Sequence, residues 1–314
     1  MRRVFAAFAL AAALVLAAAP GAFGAGAIRV RVAPYRVGGR PPFVQVGHTL
    51  LFRGYVTPYV AGQRVRVAVV HQGRTVRTVL ASVARNGGRG RFTVRLAPSG
   101  EGELHVVATH AATAQQAAFS VSSRGVQVIR DVSPGARSQS VRVLQWELAA
   151  LHFAVPVNGV FEEATGRALI AYRKAIGAAR VPYAGQQVLA GLARGAGAFR
   201  VRYRGDGRHV EANLALQLLA EIEPGGRVYR VYTMSSGKPS TPTVLGRFRV
   251  YRKEPGVNSE GMVDSNYFYT GYAIHGYPEV PTYAASHGCL RVPIPDAPAI
   301  WNWVRIGTRV DVYY

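Results

Sequence analysis

From Ile28 onward apolar and polar residues alternate: Ile28, Val30 and Val32 against Arg29 and Arg31, then Val65, Val67 and Val69, then Phe92, Val94 and Leu96. Leu104-His105-Val106-Val107 continues the series. Period-two alternation puts one kind of side chain on each face of an extended segment, so these stretches predict short strands with one face in a core. Pro41-Pro42, Gln72-Gly73 and Asn86-Gly87-Gly88 supply turns between them. The spacing predicts an Ig-like β-sandwich over residues 28–123. From Ser138 the period lengthens. Val141, Leu144, Leu148 and Leu151 mark one helix face. After a loop at Asn158-Gly159, Leu169, Tyr172 and Ile176 mark a second helix over 165–176. These predict a small α-helical module over 126–192, followed by a glycine-rich linker at 191–200. Strand-like segments rich in aromatic and β-branched residues then fill 206–314, with "PDAPAIWNWV" as the one strong helix signal. The expected fold class is mainly β and multidomain.

The first residues have a different design. Met1-Arg2-Arg3, an apolar run over 4–19, Pro20 and small residues through Ala27 form the three-part layout of a secretory signal. Cleavage is expected after Gly24 or Ala27, and 1–27 is set apart as signal peptide. An uncleaved anchor is the alternative. No later stretch is apolar for long enough to span a membrane, so a secreted protein of the cell wall or a periplasm-like space is expected. The formal net charge is +22. Half of it falls in 28–123, where thirteen arginines face only Glu101 and Glu103, so the outward strand faces must be basic. Such charge suits nucleic acid in a cytosolic protein. Export removes that reading and leaves attraction to anionic wall polymers or membrane surfaces.

An exported chain with one cysteine has no internal disulfide. That cysteine sits in "SHGCLRVP", residues 286–293. A thiol attacks as thiolate and needs a base beside it. His287 stands two places before Cys289, and His275 lies in "YAIHGYP"; the residues alone leave open which is the base. Gly288 permits close approach of another chain, and the consecutive N–H groups of Gly288 and Cys289 are candidates to receive an oxyanion. Two plainer readings compete. His275, His287 and Cys289 have zinc-ligand chemistry, but their spacing fits no common zinc pattern and a fourth ligand is not evident. A buried inert cysteine is the other, and Gly-Cys between polar residues makes a poor core segment.

"YAIHGYPEVPTYAASHGCLRVP" resembles the active-site signature of the L,D-transpeptidases of bacterial walls, the YkuD-type catalytic domain. "SSGKPSTPTVLGRFRVYRKEPG" and "IGTRVDVY" support the likeness across 206–314. The resemblance implies Cys289 as nucleophile, His275 as general base, and the Gly276 carbonyl as the group that orients the imidazole. It implies oxyanion donors from the His287 and Gly288 backbone, with Ser286 in the Ser/Thr slot of the motif. Arg291 stands where many members have asparagine and is expected to contact a substrate carboxylate. Met262, Tyr267 and Tyr272 are expected to line the cleft. The loop "YPEVPTYAA" is shorter than in many members. "VRVLQWELAAL" with "VNGVFEEATGRALIAYRKAIG" resembles a peptidoglycan-binding helical module that would tether the enzyme to its polymer. The implied activity is formation of 3→3 cross-links between peptidoglycan stem peptides through a cysteine thioester. Neither metal nor organic cofactor is needed, and the partners are stem peptides and glycan. An L,D-carboxypeptidase and a non-catalytic wall-binding protein are the alternatives.

Overall fold

The structure is a computed structural model that describes residues 42–314 and the backbone of Ala25–Arg31. The expected signal segment up to residue 24 and the alternating position Val32 lie outside the described residues. The first ten strands are β1 (Ala25–Arg31), β2 (Phe43–Gln45), β3 (Leu50–Thr57), β4 (Arg64–His71), β5 (Arg74–Ser82), β6 (Ala84–Asn86), β7 (Arg89–Leu96), β8 (Gly102–His110), β9 (Phe119–Ser122) and β10 (Val126–Ile129). They form two facing sheets, ordered β1-β3-β7-β6 and β2-β10-β8-β4-β5, with β9 also on β8. The alternation does what it predicts. In β7, Arg89, Arg91 and Arg95 are exposed while Phe92, Val94 and Leu96 are buried against Phe52, Val67 and Val106. A row of guanidinium groups cannot be desolvated without partners, so the arginines take the outer face and the apolar set takes the core. One boundary differs from the expectation: β10 pairs with β8 and β2, so residues 126–129 belong to this sandwich and not to the helical module.

Three helices follow, α1 (Gln139–Ala150), α2 (Glu163–Ala175) and α3 (Gln186–Ala193). Ser138 caps α1, its Oγ accepting the Val141 N–H at 3.3 Å. Buried Gln145 stitches the following turn, its Oε1 accepting the N–H groups of Asn158 and Gly159 and its Nε2 donating to the Val160 carbonyl. The apolar faces of the helices meet around Leu144, Leu148, Leu169, Tyr172 and Leu189.

The remaining strands are β11 (His209–Asn213), β12 (Leu218–Glu223), β13 (Arg227–Thr233), β14 (Gly246–Arg249), β15 (Arg252–Val257), β16 (Val263–Tyr269), β17 (Tyr272–Tyr277), β18 (Leu290–Pro293) and β19 (Arg309–Tyr313). A 3₁₀ turn at Ile294–Asp296 leads into α4 (Ala297–Trp303). One sheet runs β13-β12-β11-β19-β14 and the other β15-β16-β17-β18. Between them Val210, Leu219, Ile274, Leu290, Val292 and Val310 form a core closed by Ile300 and Trp303 of α4.

The β12 strand explains why the helices are not a loose appendage. Leu219 faces the core just described, while Leu218, Ala220 and Ile222, together with Val231 of β13, join the core of the helices. A strand buried on both faces reads as a near-continuous apolar run, and "LLAEI" is that run interrupted by Glu221, which is buried as well. The backbone after α1 also lies along β13: Val231 N–H donates to the His152 carbonyl at 2.8 Å, and the Val231 carbonyl accepts the Ala154 N–H at 3.0 Å. That covers a sheet edge that would otherwise stand open. The 191–200 segment, expected as a linker, is partly α3 and then an ordered strap whose Phe199 is buried in the shared core.

Three side chains lock the same junction. Arg167 of α2 donates from Nε and Nη2 to both carboxylate oxygens of Asp296, each at 3.1 Å. Arg180 donates to the Thr282 carbonyl. Lys174, fully buried, donates from Nζ to the Gln217 carbonyl (3.1 Å), Thr233 Oγ1 (2.7 Å) and the Met234 carbonyl (2.9 Å).

Candidate active site

The parallel pair β17–β18 positions the reactive residues. Its register sets His275 opposite Arg291 and Ile274 opposite Leu290. Paired residues share a face and the face alternates, so Ile274, Leu290 and Val292 go into the core while His275 and Arg291 go to the other side. One step before β18, Cys289 lies across from Ala273, whose N–H donates to Cys289 Sγ at 3.4 Å. By the same alternation, Cys289, Arg291, His275 and Tyr277 project from one face. They border a cavity of about 250 Å³ together with Met262, Glu260, Ser286 and His287.

His275 is 2% exposed. Its Nδ1–H donates to the Gly276 carbonyl at 2.9 Å, which leaves Nε2 as the free acceptor. Burial, with the Arg291 charge adding to it, lowers its pKa to about 4. Burial also pushes the Cys289 thiol up, and the Glu260 charge acts in the same direction. Both shifts favour uncharged forms. The site therefore holds a neutral thiol and a neutral imidazole on one cavity, and attack by the sulfur would require its proton to move.

The nucleophile loop is braced from within and from behind. Ser286 Oγ accepts the Gly288 N–H at 3.0 Å and donates to the Cys289 carbonyl at 2.6 Å. Gly288 has φ +124° and lies so close to Tyr272 that a Cβ there would stand 2.4 Å from Cε1 of the ring. Only glycine fits both demands. Residues 235–243 wrap the outside of the loop. Ser235 exchanges backbone hydrogen bonds with Arg291 at 2.9 and 3.0 Å, and the Ser236 carbonyl accepts from Ala285 and Ser286. Thr243 Oγ1 donates to the Gly288 carbonyl at 2.7 Å while accepting the Gly237 N–H at 2.8 Å. A Cβ on Gly237 would stand 2.3 Å from the Thr241 carbonyl oxygen.

Several expected placements differ. The Gly288 N–H, expected at the oxyanion, is taken up by Ser286. Tyr267 does not border the cavity: it is buried behind Met262 and donates its hydroxyl to Glu254 at 2.7 Å. Tyr272 does not border it either, because its ring lies against Gly288. Met262 does, and Cys289 packs on the cluster that it forms with Tyr267 and Ala273. His287 is exposed, and its Nε2 accepts from Lys238 Nζ at 3.2 Å, so that lone pair is already engaged by an ammonium. Arg291 lies over the Tyr277 ring, 4.0 Å from its centroid. Tyr277 in turn stands edge-on to His275 at 5.7 Å. Tyr277 and Glu260 are wall residues that the sequence reading missed. Tyr277 had a signal in the period-two step from His275, whereas Glu260 had none. Among the described residues no group of three or more His, Cys, Asp or Glu side chains is arranged to hold a metal ion. Nor is any described helix long and apolar enough to cross a membrane.

The L,D-transpeptidase catalytic domain family, YkuD, matches residues 207–312. Among solved structures, the L,D-transpeptidase of Xylanimonas cellulosilytica is similar over 59% of this chain and 98% of its own, at 34% identity and a TM-score of 0.55. An L,D-transpeptidase from Stackebrandtia nassauensis is similar at 21% identity over 59% of this chain and 96% of its own, with a TM-score of 0.39. One from Enterococcus faecium is similar at 27% identity over 34% of this chain and 50% of its own, with a TM-score of 0.31. No curated protein sequence matches.

Proposed function

The chain belongs to the L,D-transpeptidase family, and from that membership we propose that it forms 3→3 cross-links between peptidoglycan stem peptides through a thioester on Cys289. The reading rests above all on one observation: Cys289 and His275 project from the same face of β17–β18, with the Gly276 carbonyl holding His275 Nδ1–H and so freeing Nε2. Sγ attacks the carbonyl of the third residue of a donor stem while Nε2 takes the thiol proton. The negative charge that develops on the carbonyl oxygen is received by the N–H groups of Cys289 and His287, Gly288 being engaged elsewhere. The C–N bond breaks, the departing D-alanine amine takes the proton from Nε2, and the thioester remains. An acceptor amine then forms a new C–N bond, the C–S bond breaks, and the amine proton passes through Nε2 to the departing sulfur. Arg291 lies on the cavity wall over Tyr277, which supports a role in holding a substrate carboxylate. The protein is secreted and acts in the wall, where its basic sandwich meets anionic polymers.

Intact mass spectrometry tests this directly. The protein and a Cys289→Ala variant are incubated with a disaccharide tetrapeptide and, separately, with a carbapenem. Adducts on the first protein alone, with D-alanine released and dimer formed, are expected. Tripeptide without dimer makes the protein an L,D-carboxypeptidase. No adduct and no product, with retained binding to purified wall, makes it a wall-binding protein and sinks the proposal.

A further inference from the structure

A second cavity, of about 470 Å³, lies where α2 faces the loop after β17. Gly166, Arg167 and Ile170 of α2 form one side, and Tyr277, Val280 and Pro295 are on the other. The cavity therefore exists only because the helices are docked on the catalytic sheets. Its volume falls in the range of about 300–1,000 Å³ found for small-molecule and peptide sites. Tyr277 borders both this groove and the cavity of Cys289 and His275, so the two spaces share a wall.

We propose that this groove seats the acceptor stem, the peptide whose amine resolves the thioester, so that the helical module forms half of the second-substrate site. The inference rests on the transpeptidase reading above. Position selects the acceptor over the donor. The donor carbonyl must lie in the cavity that Cys289 itself borders, whereas the groove has no Cys289 on its wall and is the space left for a second peptide. The amine of that peptide must also reach His275, and Tyr277 is the ring edge-on to that imidazole. A peptide lying in the groove reaches the base over the Tyr277 side of the cavity. The walls suit a short peptide of small side chains: Ile170, Val280 and the prolines 278, 293 and 295 are apolar, with Glu163 and Thr282 as polar groups.

A further observation supports a built site. The walls are held in place by Arg167 on Asp296 and by Arg180 on the Thr282 carbonyl, with Lys174 anchoring α2 on the sheet. Such fixed walls lower the ordering cost of binding.

Val280→Trp, on the loop side, and Ile170→Trp, on the helix side, each fill the groove from a different element. With disaccharide tetrapeptide as donor and acceptor, the rate of thioester formation and of D-alanine release should stay within about twofold of the unaltered protein, while dimer formed per thioester falls about tenfold or more and the acceptor concentration for half-saturation rises. Overturning outcomes are equally plain. A parallel loss of thioester formation by the folded Val280→Trp protein would make the groove a donor site. An unchanged dimer-to-hydrolysis ratio in both variants would make it no site at all. If the defect appears with the disaccharide peptide but not with the glycan-free tetrapeptide as acceptor, the occupant is sugar and the proposal fails. Absence of thioester on the unaltered protein would instead sink the transpeptidase reading itself, and this inference with it.

Discussion

The Ser286 hydroxyl donates to the Cys289 carbonyl across the inside of the loop, at 2.6 Å, and Ser286 itself is fully buried. Because the same oxygen accepts the Gly288 N–H, its removal strands a buried donor, at a cost of about 1–3 kcal/mol, and leaves the half-buried Cys289 carbonyl without this partner. Ser286→Ala is expected to slow thioester formation by about tenfold to a hundredfold with a smaller change in KM, because the sulfur loses its aim more than the substrate loses its site. Ser286→Thr, which keeps the hydroxyl, should recover most of the rate. Stopped-flow acylation by a chromogenic β-lactam separates the two.

On the proposed mechanism, the titration of His275 sets the acid limb of activity. Its pKa is lowered to about 4 by burial and by the Arg291 charge, so the base is neutral throughout the range above that value. The pH profile of kcat/KM is expected to fall only as the solution is acidified toward pH 4, well below the usual histidine value of about 6.5. In Arg291→Gln one cause of the lowering is gone. The acid limb should then move to higher pH, and KM for a substrate carrying a free carboxylate should rise.

The same histidine penalises folding in acid. Unfolded, it takes up a proton as pH drops below about 6.5; folded, it stays neutral until about 4. In that window the unfolded state binds more protons, so stability is lost as pH falls from 6.5 to 4. His275→Gln should flatten that part of a plot of thermal midpoint against pH.

Lys174 joins α2 to the catalytic sheet without a carboxylate to balance it, and burial lowers its pKa to about 7. Between pH 7 and about 10.4 the unfolded chain carries a proton on this residue that the folded chain does not. Stability should therefore climb with pH across that interval. Lys174→Met should lose this slope while keeping much of the packing, and the difference between the two proteins in pH-dependent denaturation is the measurement.

Glu221 is the opposite case. Fully buried on β12, its Oε1 has no hydrogen-bond partner, and burial raises its pKa to about 8. The folded state keeps a proton that the unfolded state gives up above about 4.3, so its contribution is present in acid and lost as pH rises toward 8. Glu221→Gln should be nearly neutral at pH 4, already stabilising at pH 6 and more so at pH 9, as read from urea unfolding midpoints.

What could be read from the chain followed from local periodicity and chemistry. Phe92, Val94 and Leu96 against Arg89, Arg91 and Arg95 announce a strand and its inner face, because side-chain direction in an extended chain depends only on parity. Leu144, Leu148, Leu169 and Tyr172 announce helix faces for the same kind of reason. Cys289, His275 and Gly288 stand out because a thiol, an imidazole and a glycine in one short signature have few other uses together. Tyr267 was misplaced because an aromatic residue at a strand position gives the face and not what lies behind it. The hydroxyl of this one found Glu254.

By itself, then, the sequence determined the elements, their buried faces and a candidate thiol with two candidate histidines. The tertiary structure alone decided which histidine has a free Nε2, since that depends on the Gly276 carbonyl and on Lys238, which lies 49 residues from His287. It alone decided that the Gly288 N–H is spent on Ser286, and that α2 lies against β12 and β13 to open a groove beside Tyr277. The physical reason is common to all three: each depends on contacts between residues far apart in the chain or on the sense in which a loop folds back, and neither leaves a periodic trace along the sequence.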